Sequence, residues 1–283
     1  MPATETDLNA LAASHDIIAI GMLADEARKA RHGATTSFVR VAEVSAQPGQ
    51  PVPVPPAAGE LRIVGTPVSR NAAVARAAEV AAAAAGVPVS GYSLSDLERL
   101  AAVERITLRA LLEELCAAGL ELVAEAPFDL LQDPRRCIEE VNISGMALAR
   151  LTVSKWPDVD TPVFLRQVAQ VQYQVAVIRS FAPLPRRTNP AAPTTGYDDI
   201  KKVALARLFL EDVVSIQVDW SLYGPKLAQV ALTVGADDLD AVSVSDEAPD
   251  GPRRSPLEGV RRNIRAAGFE PAERNGRREI LAR

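Results

Sequence analysis

The chain has 283 residues, of which 48% are apolar and only 4% aromatic, and a formal charge of −5. That length suits one large domain or two small ones, with a core that must rely on Ala, Val and Leu. The acidic balance, without a basic stripe interleaved with aromatics, argues against nucleic-acid binding through phosphate neutralisation.

The opening "MPATETDLNA" has neither a basic segment nor an apolar core, so no secretory signal is expected. The alanine tract at 77–85 is broken by Glu79 and is too weakly apolar to span a bilayer. The expectation is a cytoplasmic protein with no membrane partner. A first helix is predicted over 15–32, with Ser14 as its cap, Asp16 in its first turn and Gly33 closing it. Strands are then predicted at 36–44, 61–65, 87–92, 120–125, 151–156, 175–182, 213–220 and 239–245. Helical patterns at 70–85, 94–101, 107–118, 162–174, 197–212 and 225–234 separate most of them. A short terminal helix in "GPRRSPLEGVRRNIRAAG" carries arginines all round, offset by nearby acids. Strands joined mainly by helices predict an α/β fold, a (β/α)8 TIM barrel over residues 35–283, behind an N-terminal helical segment of residues 1–34.

Two stretches break the rhythm. Between the first two strands "SAQPGQPVPVPPAAGE" holds five prolines where a crossover helix belongs, and that density favours an extended loop. The second, "LPRRTNPAAPTTG", follows the sixth strand; Arg186, Arg187 and Asn189 within it read as solvated rather than anion-binding.

Barrel enzymes keep their chemistry at the C-terminal strand ends. Asp219 and Trp220 end the seventh strand and Asp246 and Glu247 follow the eighth, so these are candidate site residues. Trp220 either stacks on a base or fills the barrel mouth. Asp237, Asp238 and Asp240 precede the eighth strand, on the opposite face, and read as a turn device. His15 and His32 both sit on the first helix and make neither a base in the mouth nor a metal site. Cys116 and Cys137, 21 residues apart, read as reduced core or boundary residues.

Three segments, "HDIIAIGMLADEARKARHG", "TTGYDDIKKVALARLFLED" and "IQVDWSLYGPKLAQVALTVGADDLDAVSVSDE", resemble the radical SAM enzymes of the futalosine route to menaquinone. Those enzymes are aminofutalosine synthase and dehypoxanthine futalosine cyclase. In that family the first strand runs into a loop whose three cysteines ligate an iron–sulfur cluster. Here the corresponding "VRVAEVSAQPGQPVPVPPAAGE" has no cysteine or histidine. The resemblance also aligns Asp129 with the family's acidic position after strand four. It aligns Asp160 and Thr161, in "PDVDT", with an acid–hydroxyl pair after strand five whose Gly and His are lost. Thr161-Pro162 also reads as a helix N-cap and first-turn proline, and that reading is preferred over contact with a ribose or amino group.

The expectation is therefore a degenerate barrel with its first crossover helix missing, no catalytic or metal residues, no cluster, and S-adenosylmethionine binding in doubt. The ligand-binding candidates are Asp129, Asp160, Thr161, Asp219, Trp220 and Asp246. The function expected first is a non-catalytic partner or regulatory subunit, in a hetero-oligomer with a cluster-bearing menaquinone-pathway enzyme. The alternative is a binding protein or cluster-free enzyme acting on a futalosine-like nucleoside ligand. The partner expectation rests on an apolar patch left over the first two strands by the missing helix, unless the N-terminal helix swings across to fill it.

Overall fold

Strand-forming runs rich in Val, Leu and Ile close into a parallel barrel in the computed structural model, which describes residues 5–187, 195–245 and 256–282. Its strands are β1 (Thr35–Ser45), β2 (Glu60–Val64), β3 (Val89–Ser93), β4 (Leu122–Pro127), β5 (Ala147–Leu148), β6 (Leu151–Val153), β7 (Ser180–Pro185), β8 (Ser215–Asp219) and β9 (Asp238–Ser243). Successive strands pair in parallel, β5 and β6 share one position beside β4, and β9 pairs with β1 to close the ring. This is the expected barrel. A further strand, β10 (Glu270–Arg274), runs parallel to residues 35–39 of β1, while residues 41–45 of β1 pair with β2. The long β1 thus takes two neighbours along one edge.

The helices are α1 (Glu5–Ala13), α2 (Ile17–His32), α3 (Arg70–Ala83), α4 (Leu94–Val103), α5 (Leu108–Ala117), α6 (Pro134–Ile143), α7 (Thr161–Val175), α8 (Gly196–Phe209), α9 (Trp220–Leu232) and α10 (Pro256–Ala266). Each barrel helix turns an apolar stripe inward; Leu97, Leu111, Leu115, Ile138, Phe164, Leu165 and Val203 are fully buried against the strands. In α2 it is Asp16, not Ser14, that caps: its carboxylate accepts the Ala19 N–H at 3.0 Å. Gly21 faces Val234 so closely that a Cβ there would lie 2.9 Å from its side chain, which lets α2 seat against the barrel. Among the described residues no helix is long and apolar enough to cross a membrane.

Some elements depart from expectation. The strand expected at 175–182 begins at Ser180, because α7 continues to Val175 and ends on Ala176 in a left-handed conformation, φ 53°. The strand expected at 151–156 is split and begins earlier, at Ala147. The helices α1 and α6 and the strand β10 were not anticipated.

The crossover between β1 and β2 has no helix, as its prolines require. Arg76 of α3, fully buried, holds this loop instead. Its guanidinium donates to the carbonyls of Ser45 at 2.7 Å and Gln50 at 2.8 Å and pairs with Glu79 at 2.9 Å. Glu79 in turn accepts the Gly49 N–H at 3.0 Å. Gly59 lies where a Cβ would stand 2.8 Å from the Arg274 carbonyl, so the loop returns to β2 pressed against β10. Val52 and Val54 pack on the core. The apolar patch expected over the first two strands is therefore covered: Phe38, Val39, Val41, Leu61 and Ile63 are all buried. Nor does α2 fill the gap; it packs along α8, with Tyr197 donating to the His15 carbonyl at 2.8 Å.

Replacing the clamp tests this account. Arg76→Ala strands two buried carbonyls and is expected to cost about 2–4 kcal/mol of stability. Urea unfolding should register that loss, with new proteolytic cleavage within 46–59; unchanged unfolding and cleavage would contradict it.

Candidate functional site

Parallel barrels usually fill their interior with layers of Val, Ile and Leu. This one carries a column of ion pairs. At its N-terminal end Asp238, the first residue of β9, accepts Arg274 at 2.7 and 2.6 Å, Gln217 at 2.6 Å and the Ser37 hydroxyl. One layer up, Asp240 accepts both Nη atoms of Arg62, at 3.0 and 2.9 Å, and forms an ion pair with Arg150 Nη1 at 2.8 Å. Arg62 also donates to Glu60 at 2.8 Å, and Glu60 accepts the Ser90 hydroxyl at 2.5 Å. At the C-terminal mouth Arg186 bridges Glu125 and Asp219, each at 3.0 Å.

The electrostatics follow from that crowding. Burial alone would raise the Asp240 carboxyl, but Arg150 and Arg62 outweigh it and hold the group well below the ordinary carboxylate range. Asp238 is lowered in the same way, burial being overcome by Arg274. Arg62 gains from Asp240 and Glu60 more than burial takes away. Arg150 does not: burial and its neighbour Arg62 lower it, and its Nε is buried with no hydrogen-bond partner.

A cleft of about 250 Å3 opens at this mouth, over the C-terminal ends of β1 to β4. Arg62, Glu125, Arg150 and Arg186 form its floor, and Glu43, Thr66 and Asp96 its rim. Arg186 is the accessible cation, its side chain 28% exposed. Gly65, φ 109°, makes the turn that carries β2 past the cleft.

The residues predicted from sequence fall in different places. Asp219 reaches the mouth but is structurally engaged: Oδ1 accepts the Leu222 N–H and the Ser221 hydroxyl, both at 2.9 Å, as the cap of α9, and Oδ2 takes Arg186. Trp220 is half-buried at the first position of α9, packed on the core, and does not line the cleft. Asp129 accepts the N–H groups of Ser154 at 2.6 Å and Lys155 at 2.8 Å, tying the turn after β4 to the end of β6. Asp160 and Thr161 line a separate cavity of about 640 Å3 with Asn9, Asp198, Lys201 and Lys202, outside the mouth. There Asp160 occupies the cap position of α7 and Thr161 is its first helical residue, so the expected Thr161 cap is displaced by one. Asp246, Glu247 and Asn189 lie outside the described residues.

Two readings are corrected. Asp238 and Asp240 are not turn residues but buried members of β9, and Asp237 accepts the Ile216 N–H and Ser215 hydroxyl at 2.8 Å as well as Arg207. Arg186 is not solvated but seated in the mouth. Pairing acids with arginines on distant strands was the missed signal: Arg40, Arg62, Arg150 and Arg274 stand in or beside apolar strands, where a lone charge would be too costly to bury.

An iron–sulfur cluster needs several thiolate donors brought close together. Residues 46–59 hold neither thiol nor imidazole and are pinned by Arg76. Cys116 is half-buried on α5; Cys137 is buried on α6, its thiol pushed up to about 12 by burial and then by the bond to Glu98. His32 sits on α2, 3.5 Å from Asp237 and 2.9 Å from the Val214 carbonyl, with its pKa lowered chiefly by burial. Among the described residues no three of His, Cys, Asp and Glu stand together so as to hold a metal. These donors do not fit such a cluster.

Asp240→Asn leaves Arg62 and Arg150 without their shared carboxylate and is expected to cost about 3–5 kcal/mol near neutral pH. The folded-state pKa of Asp240 is depressed below its reference value of 3.8, so its contribution is complete above that value and is lost as pH falls below it. Acid titration of unfolding free energy should therefore show a shallower fall below about pH 4 for the variant than for the wild type. Equal stability of the two proteins at neutral pH would contradict the assignment.

Residues 182–282 match the CofH/MqnC C-terminal region family. The cyclic dehypoxanthine futalosine synthase of Streptomyces coelicolor is 27% identical over 211 residues, 66% of this chain and 53% of that protein. The aminodeoxyfutalosine synthase of the same organism is 39% identical over 93 residues, 31% of this chain and 24% of that protein. The chain thus spans about half, or less, of the length of these curated relatives. Among solved structures, methylornithine synthase superposes with a TM-score of 0.68 at 13% identity, covering 96% of this chain and 95% of that one. The FeFe-hydrogenase maturase HydG gives 0.64 at 11% identity, over 96% of this chain and 72% of that one. At those identities the likeness is one of fold. By sequence, then, the chain carries a CofH/MqnC C-terminal region and is similar beyond it to futalosine-forming enzymes.

Proposed function

We propose that this chain is a cluster-free member of the futalosine-pathway radical SAM family that binds a small polar ligand, of the futalosine-type nucleoside class, at the C-terminal mouth and performs no radical chemistry. The observation that carries the reading is the mouth itself: Arg186 exposed between two carboxylates, and Arg150 with an unspent Nε donor in the wall. A ligand acid group can take over Arg186 from Glu125 or Asp219, since a guanidinium binds carboxylates through paired donors. The unfitting donor set around residues 46–59 supports the absence of a cluster. Polar catalysis by Asp219 has less support, because both of its oxygens are already committed to Leu222, Ser221 and Arg186.

A second reading, a non-catalytic partner of a cluster-bearing relative, draws support from α2, where Ile18, Met22 and Leu23 are exposed on a helix otherwise docked on α8. It no longer draws any from the first two strands.

Titration calorimetry with S-adenosylmethionine and with a futalosine-type nucleoside tests the principal reading. The nucleoside should bind, and Arg186→Ala should weaken it about 10- to 100-fold through loss of a charged hydrogen bond. Absence of binding, or binding indifferent to Arg186→Ala, would overturn it.

A further inference from the structure

We propose that the N-terminal end of the barrel carries a second binding site, for a small amphipathic anion: a carboxylate or phosphate ester on an apolar body, held by Arg179 and Arg278. The barrel wall is incomplete there. Among the described residues β5 pairs with β4 alone, and the β6–β7 ladder begins only at Leu151 and Phe181, so the edge of β5 that faces β7 has no strand partner there. A cavity of about 390 Å3 occupies this gap, within the range of small-molecule sites. Leu120, Leu122, Met146 and Leu148 give it an apolar floor.

Its charge is opposite to that of the whole molecule. The chain carries −5, yet this cavity is lined by Arg179, Arg277 and Arg278 against a single acid, Glu121. Glu121 is spent on Arg277, which it takes at 2.6 and 2.8 Å. Arg179 is exposed, and its side chain has no ion-pair partner among the described residues. Arg278 reaches the barrel floor, donates to the Ser180 hydroxyl at 2.5 Å and comes within 4.0 Å of Asp238. Asp238 has little left to offer, since Arg274, Gln217 and Ser37 already occupy both of its oxygens. Two guanidinium groups therefore face an apolar cavity without full compensation, a combination that selects an anionic head on a greasy body.

Arg278 is also held in place by its turn. The turn that carries Arg277 and Arg278 is closed by Asn275, which donates to Glu279 Oε2 at 2.7 Å and accepts the Glu279 N–H at 3.0 Å. Arg278 adopts φ 71°, a left-handed conformation that disfavours an arginine, and this directs its side chain inward. At Gly276 a Cβ would lie 3.1 Å from Glu60 and 3.2 Å from Pro88, so the turn lies flush on the barrel end. A preorganised Arg278 spares part of the entropy cost of ordering long side chains round an anion.

The test uses the full chain and the fluorescent probe 8-anilinonaphthalene-1-sulfonate, an aromatic anion. Two variants address the cavity: Arg179→Glu reverses an exposed charge, and Ala147→Trp fills the cavity from an exposed position. Arg135→Ala, which removes an exposed cation of α6 that lines neither this cavity nor the mouth, is the control. The probe should bind the wild type and the control equally, and about tenfold or more weakly to each cavity variant. Benzoate or phenyl phosphate should displace it, and whichever displaces at lower concentration assigns the head group. The same competitor should slow alkylation of Cys116, which lines the cavity, while Cys137 stays buried. Equal probe affinity in the wild type and both cavity variants, or Cys116 alkylation unchanged by saturating benzoate and phenyl phosphate, would overturn the proposal.

Discussion

One carboxylate shared by two buried guanidinium groups organises this barrel. Asp240 lies on β9, Arg62 on β2 and Arg150 between β5 and β6, so a single acid braces three separated positions of the ring. Such contacts stabilise little relative to a well-packed apolar interior, because desolvation offsets most of the Coulomb attraction. Their effect is on specificity. A one-residue slip of β9 would turn Asp240 out of the barrel and bury an apolar neighbour against Arg62 and Arg150, so the charges fix the register in which the ring closes. The layers above and below are bound to the same choice: Asp238 meets Arg274, and Arg186 joins Glu125 to Asp219.

The polar interior also decides what kind of ligand the mouth can receive. An apolar barrel presents a dry pocket; this one presents arginines balanced by acids, so a ligand must exchange one ion pair for another. Around it the usual first crossover has given way to a proline loop held by Arg76 and Glu79, with β10 pressed beneath. A loop closed in this way covers strands; it does not reach over the mouth with thiolates. The two ends of the barrel consequently differ in chemistry. The mouth is a balanced set of ions, whereas the opposite end shows an excess of positive charge beside apolar residues.

Much of this was legible in the sequence. The alternation of strands and helices, the missing crossover helix and the position of Asp219 at a strand end all follow from local patterns. The rest depended on contacts distant along the chain. "ADDLD" looks like a turn because a charged residue inside a strand is ordinarily excluded; only partners at Arg62, Arg150 and Arg274 make it a strand start. "SFAPLP" carries Pro183 and Pro185, which demote it as a strand by any local rule, so the strand was placed too early, over what proves to be the end of α7. Asp129 and Asp160 are site candidates by resemblance alone, and neither lines the mouth: one caps a neighbouring strand end through backbone N–H groups, the other lines an outer cavity.

Anaerobic reconstitution tests most directly the proposal that this ion-paired barrel holds no iron–sulfur cluster. The protein would be incubated with iron and sulfide, desalted, and followed by iron analysis and electron paramagnetic resonance after reduction. The account predicts iron well below stoichiometric and no cluster signal, because Cys116 and Cys137 stand on separate helices away from residues 46–59. Stoichiometric iron with a reduced-cluster spectrum that survives desalting would contradict it.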